Sequence, residues 1–395
     1  EKFLHRPDWF EYGKLRLSWG KNGNRAVGTY AAFMQLSPRK YIYVDPSTGE
    51  LITANTFYAS TMANPNLKWE STTSWNAGMD LTFLQGRLST SVDVYKKITT
   101  DLLVSRELPS LIGYSSVMSN IGEVQNTGVE LSLNSTNIRM DKFTWRTSLN
   151  LAYNKNKITH LYGIMEDVKD ADGNVIGQRE ADDIKNKRFI GHDIDEIWDY
   201  KVVGIWQEED REEAAKYGQQ PGDVHLLDKD MNYKYDNTDK EFQGTNMPRL
   251  RWSMRNDFTL FKNLNISFNM YSYIGHKQSL ARFTNDNALL NVTNQIKCDY
   301  WTPENRNNEY PRLANKKPAG VSYSIYKNAS FLRFDNISIG YTFPKKLIEP
   351  LRIQNLNVNA TMKNAGYISG WPGYDPENSD KNTPRVIYFG INLTL

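Results

Sequence analysis

Apolar and polar positions alternate along much of this chain. In WNAGMDLTFLQGRLSTSVDVYKK, residues Trp75, Ala77, Met79, Leu81 and Phe83 share one face of an extended backbone, and Asn76, Gly78, Asp80 and Thr82 share the other. Gln85-Gly86 reverses the direction. Leu88, Val92 and Val94 then resume the apolar face, opposite Arg87, Ser89, Ser91, Asp93 and Tyr95. The pattern predicts a hairpin with one apolar and one wet side.

The same two-faced segments recur. Leu15, Leu17 and Trp19 alternate with Arg16 and Ser18, and Val129, Leu131 and Leu133 with Glu130, Ser132 and Asn134. In FTWRTSLNLAYN, Phe143, Trp145, Thr147, Leu149, Leu151 and Tyr153 oppose Thr144, Arg146, Ser148, Asn150, Ala152 and Asn154. Leu250 to Leu260 and Leu264 to Tyr271 repeat the pattern around a turn at Lys262-Asn263. A strand at Phe331 to Thr342 has its alternation disturbed by Arg333 and Asp335, a weaker one spans Ile353 to Met362, and a regular one spans Arg385 to Leu395. About ten strands are expected. Connections alternate between short (Gln85-Gly86, Ile138 to Asp141, Lys262-Asn263, Phe343 to Pro350) and long (Lys21 to Ser74, Ser105 to Glu123, Lys155 to Pro248, Gly275 to Asn328, Lys363 to Pro384).

Short turns on one side and long polar loops on the other are the asymmetry of an outer-membrane barrel. Tilted strands of roughly ten residues span an apolar band ~25 Å tall, and Phe143/Trp145 and Tyr153 fall where aromatic girdles belong. The expected fold is therefore all-β, a transmembrane antiparallel β-barrel with long extracellular loops. Its apolar face touches outer-membrane lipid, and its polar face lines a wet or plugged lumen.

Composition agrees. The mean hydropathy is −0.63, yet the chain carries 10 Trp, 23 Tyr and 16 Phe, a profile unlike disorder. No apolar run approaches the ~20 residues of a membrane helix. The net charge of +3 and the lack of a basic stripe interleaved with aromatics argue against nucleic acid as a partner. A single cysteine, Cys298, excludes an intramolecular disulfide framework and is expected to be a shielded thiol.

Eight ordered blocks carry a resemblance to a known family: KLRLSWGKNGN (from Lys14), NPNLKWESTTSWNAGMD (from Asn64), YKKITTDLL (from Tyr95), NIGEVQNTGVEL (from Asn120), PGDVHLLDKD (from Pro221), WTPEN (from Trp301), NASFLRFDNISIGYTFP (from Asn328) and FGINLTL (from Phe389). The chain resembles the C-terminal barrel portion of SusC-like (RagA-type) TonB-dependent outer-membrane transporters of Bacteroidetes. The resemblance implies about ten strands of a 22-stranded plugged barrel, with residues 1–395 forming part of one barrel domain. The plug and the TonB-contacting segment have no counterpart in these residues. It further implies import of glycan or peptide oligomers, with a SusD-like surface lipoprotein as lid and TonB acting through the missing N-terminal part. Alternatives are a barrel of the same family serving as a structural or assembly component, and a soluble all-β carbohydrate-binding protein whose apolar faces pack together.

Catalytic signatures are not evident, and no enzymatic activity or required cofactor is expected. GKNG at Gly20 to Gly23 lacks phosphate-loop spacing. His5, His160, His192, His225 and His276 are scattered, and EEDREEAA (Glu208 to Ala215) reads as a solvated helix face. Loop aromatics, notably Trp301, Tyr310, Trp371 and Tyr374, are candidates for stacking on cargo, although packing within the loops is the plainer expectation. DKDMNYKYDNTD sets Asp228, Asp230, Asn232, the Lys234 carbonyl, Asp236 and Asp239 at positions 1, 3, 5, 7, 9 and 12 of a calcium-loop register. Tyr233 stands where that register wants Gly and Asp239 where it wants Glu, so an acidic solvated loop is the alternative.

Overall fold

The computed structural model describes residues 7–395 apart from 26–27, 29, 109, 115, 171, 281–298, 314 and 379–380. Cys298 and His5 lie outside the described residues. Ten strands form one antiparallel meander: β1 (Phe10–Asn24), β2 (Glu70–Phe83), β3 (Leu88–Thr100), β4 (Glu123–Arg139), β5 (Phe143–His160), β6 (Leu250–Leu260), β7 (Leu264–Ile274), β8 (Phe331–Thr342), β9 (Asn355–Ser369) and β10 (Val386–Thr394). Each pairs with its sequence neighbours, leaving β1 and β10 as the edges of an open, curved wall. The expected ninth strand begins and ends later than its sequence pattern suggested.

Register converts the alternation into two surfaces. Leu133, Leu149, Met254 and Met270 are successive partners across β4 to β7, as are Leu131, Leu151, Trp252 and Ser272 one row away. These rows form the lipid face. The intervening rows, such as Ser132, Asn150, Ser253 and Tyr271, face the lumen. Near the short turns, Trp145 and Phe258 stack at 5.7 Å and Phe258 and Phe268 at 6.0 Å, forming the expected girdle. Polar groups on this face are satisfied internally: the Asn256 side-chain carbonyl accepts from Trp145 Nε1 at 2.9 Å and Thr147 Oγ1 at 2.7 Å.

On the lumen side, the Arg16 guanidinium donates to Asp80 at 2.9 and 3.0 Å, to Ser91 at 3.0 Å and to Asp93 at 2.8 Å. Gly78 lies beneath this cluster, where any Cβ would collide with the Asp93 and Arg16 side chains. The disturbed alternation in β8 is a β-bulge at Asp335. Below it Ile337, Ile339 and Tyr341 join the outward rows, and above it Phe334 and Leu332 do, so that Phe331 and Arg333 face inward.

The short connections between strands of the wall lie at one end, at 84–87, 140–142, 261–263 and the short helical link 343–354, and the long connections lie at the other. Phe261 and Lys262 adopt φ of 52° and 69° to close one such turn. The long connections carry strands of their own. Gln35–Val44, Leu51–Met62, Leu103–Glu107 and Ser116–Asn120 make a four-stranded sheet from two loops, and short two-stranded pairs occupy the later loops.

Candidate functional site

Three loops, 161–249, 275–330 and 370–385, share one hydrophobic core. Tyr200, Ile205, Val224 and Leu226 from the first meet Leu280, Trp301, Tyr323, Ile325 and Ala329 from the second and Trp371 from the third. No segment here could bury this apolar surface alone, so the core exists only when the loops converge.

Buried polar groups fasten the same body. Asp223, fully buried, accepts from Arg312 Nε and the Lys316 amide, both at 2.8 Å. Tyr326 donates to Asp199 at 2.9 Å, and Trp301 Nε1 to Gln207 at 3.0 Å. Burial, then the Asp199 charge, pushes the Tyr326 hydroxyl well above its usual range, which keeps it a donor. His225 stacks on Trp206 at 3.6 Å between centroids, and burial lowers its pKa. Arg333 of β8 pairs with Asp375 at 2.5 Å and Glu377 at 2.8 Å, which ties the 370–385 loop to the wall. Burial pushes Asp375 up, but Thr383, the Glu377 amide and Arg333 together hold it below the usual carboxylate range.

Beneath this body the inner wall forms a cleft of about 490 Å³ lined by Glu130, Ser132, Asn150, Arg251, Tyr271 and Tyr273. A second cleft of about 360 Å³ adjoins it, sharing Glu130 and Arg251 and adding Asn154, Asp193, Asp195 and Arg249. Arg251 lies over the Tyr273 ring at 5.3 Å, and the Tyr271 hydroxyl donates to Glu377 at 2.6 Å. Burial, with Asp193 beside it, raises the Asp195 pKa. The surface combines charges of both signs, amides and ring faces, which is binding chemistry for a polar oligomer. Its signal in the sequence is the polar half of each strand alternation.

The aromatics singled out in the loops lie elsewhere. Trp301 and Trp371 are 4% and 6% exposed within the loop core, so neither offers an open ring face, a correction that follows from the burial of their rings against the other two loops. Tyr310 and Tyr374 are half-buried; the Tyr310 carbonyl accepts from the Trp301 amide and the Tyr374 carbonyl from the Tyr367 hydroxyl. Of the calcium register, Asp228, Asp230 and Asp239 bring carboxylate oxygens within 4.8 Å of one another. Asp236 is not one of this group. Asp236 instead accepts from Thr238 at the start of a short 3₁₀ turn, and Asn232 donates to Asp230. Asp228, pushed up by burial, is held low by the Tyr233 amide and the Tyr217 hydroxyl.

The family model described as TonB dependent receptor-like, beta-barrel matches residues 5–365. The chain is 30% identical to the TonB-dependent receptor SusC of Bacteroides thetaiotaomicron, covering 100% of this chain and 38% of that protein. It is 28% identical to the TonB-dependent receptor P3 of Formosa agariphila, covering 97% of this chain and 37% of that protein. In fold it is similar to the structure titled the RagAB peptide transporter, with a TM-score of 0.73 and 21% identity over 99% of this chain and 42% of that one. The chain thus spans about two fifths of the length of these relatives. Its strand meander, one-sided turns and lipid-facing rows match what that family requires, and the chain belongs to the TonB-dependent receptor β-barrel family, as a SusC-like outer-membrane protein of the Bacteroidetes type.

Proposed function

We propose that residues 1–395 are the C-terminal part of the barrel domain of a TonB-dependent importer of oligomeric nutrients, glycan or peptide. The observation that carries this is the pairing of a polar, aromatic-lined cleft on the inner wall with a loop body packed above it. The plug and the TonB-contacting segment belong to the remainder of the protein. No covalent step is part of the proposal. A SusD-like surface lipoprotein is the proposed lid, seated on the loop body; the likeness to SusC supports it, as do loops far longer than the ~2–5 residues a hairpin needs.

Deleting the gene should abolish growth on at least one oligomeric glycan or peptide, and Arg251→Ala with Tyr273→Ala in the complete receptor should slow uptake of that nutrient without loss of barrel. Unimpaired growth on all such sources, with a defect only in the assembly of other outer-membrane proteins, would favour the structural role. Affinity purification in mild detergent should recover a lipoprotein; repeated recovery of the barrel alone would remove the lid.

A further inference from the structure

Cross-strand register places four lysines together on the lipid face at the extracellular end of β1 to β5. One outward row runs Trp19, Trp75, Lys96, Thr127, Lys155, and the row above it runs Lys21, Thr73, Ile98, Gln125, Lys157. All four lysines are exposed, and none is ion-paired among the described residues. With neighbouring strands ~4.8 Å apart, Lys96 and Lys155 stand about 10 Å from each other. The row below runs Leu17, Ala77, Val94, Val129, Tyr153. Its small central residues floor a groove of about 750 Å³ walled by Trp19, Trp75 and Tyr153.

Ammonium groups at the rim of the lipid face reach interfacial water at little cost, and four of them together draw an anion to that height. The short turns fix which interface this is. Strands β2 and β3 meet at the turn 84–87, so Trp75 and Lys96 lie toward the long loops and the outer leaflet. The outward rows at the opposite end carry Phe143, Leu260, Leu264 and Tyr341, with no lysine among them. The low outward row of β1 to β5, Phe10, Phe83, Leu88, Ser135 and Thr147, carries no basic residue either, so in the paired rows of these strands the basic charge lies at the extracellular end. An occupant must supply phosphates at the lysine height and acyl chains directly below, over the groove.

We infer that this face is a binding site for a phosphorylated, multiply acylated glycolipid of the lipid A class: Lys96, Lys155, Lys157 and Lys21 hold its phosphates, and an acyl chain lies in the groove over Ala77, Val94 and Val129. Lysines near a membrane surface act additively on anionic lipid, so loss of two should weaken binding by on the order of tenfold or more.

The test uses the complete receptor in detergent micelles, with purified bisphosphorylated lipid A as probe and native mass spectrometry as readout. Wild-type receptor should retain the lipid. Lys96→Gln with Lys155→Gln should lose it on the order of tenfold more readily, while Lys14→Gln, on the lumen face, should not. The same lipid stripped of phosphate should bind wild type as weakly as the intact lipid binds the double variant, and inorganic phosphate should not compete. Heat-modifiable migration on gels checks that each variant is folded. Equal retention by wild type and the folded double variant would overturn the inference. So would a receptor dimer that shields Lys96 and Lys155 from amine labelling in the absence of lipid, because a second copy would then be the occupant.

Discussion

Leu149 and Asn150 are adjacent in sequence and face opposite solvents, which makes them a paired test of the wall. Leu149 lies between Leu133 and Met254 in an outward row, and Asn150 between Ser132 and Ser253 in a lumen row, accepting a hydrogen bond from Ser132 at 2.8 Å. From Phe143 to Tyr153 a strand rising ~3.4 Å per residue at ~40° tilt climbs about 26 Å, close to the ~25 Å apolar band. On the same basis Leu149 sits about 10 Å below the outer aromatic ring and about 16 Å above the inner one, near the midplane. Arginine there should cost about 2–4 kcal/mol, or roughly thirty- to a thousandfold in the folding equilibrium. At Asn150 it should cost far less, because the guanidinium enters a hydrated interior. Tyr153→Arg, at the interface, should fall at about 0–1 kcal/mol. Urea-titrated refolding of the complete receptor into lipid vesicles measures all three, and equal midpoints for Leu149→Arg and Asn150→Arg would show that the faces are wrongly assigned.

The other expectations concern the loops. Arg333 and Asp375 are 2% and 1% exposed, so Asp375→Ala removes the buried one of the two carboxylates that meet Arg333 and should destabilise the 370–385 loop by about 1.5–3 kcal/mol, seen as faster amide exchange there. The depressed pKa of His225 means that the folded loop body prefers the neutral ring. Its contribution is full above the unfolded value near 6.5 and is lost as pH falls from there through the folded pKa; exchange of the Val224 and Leu226 amides should accelerate over that window, and His225→Phe should flatten the response. The Asp228 to Asp239 segment is organised by its own hydrogen bonds, so protease digestion should proceed identically with calcium and with chelator. Protection by calcium that disappears in Asp228→Ala with Asp230→Ala would establish a cation site instead.

The wall was legible because a strand has a period of two and lipid tolerates few polar exceptions: Trp75, Ala77 and Met79 could be placed outward from spacing alone. The loop body was not. Its core joins residues as far apart as Tyr200 and Trp371, and its strands of three to six residues are too short to show a period. Trp301 and Trp371 read as ring platforms in a polar sequence context, but they are buried in a core that other loops help to build, with Gly222 and Gln207 of the first loop against Trp301. Likewise Asp223 within PGDV carries no local sign that it is a fully buried acceptor for Arg312. Within the calcium register, Asp228 and Asp230 could be set beside each other from spacing, whereas the return of Asp239 to them across a segment in which Met231 and Tyr233 take φ of 55° and 65° could not.

The bulge at Asp335 amounts to a parity switch written in one residue. Regularising the strand with Asp335 drawn into the alternation would shift the upper part of β8 by a single position, turning Arg333 out to lipid and drawing Leu332 and Phe334 into the lumen. Barrel wall and loop anchor would then compete for the same strand, because the register that hides the apolar residues would no longer present the arginine to Asp375. Deleting Asp335 would set Phe334 directly beside Asn336 and keep both faces, whereas straightening the strand with Asp335 retained would keep the composition and lose the topography.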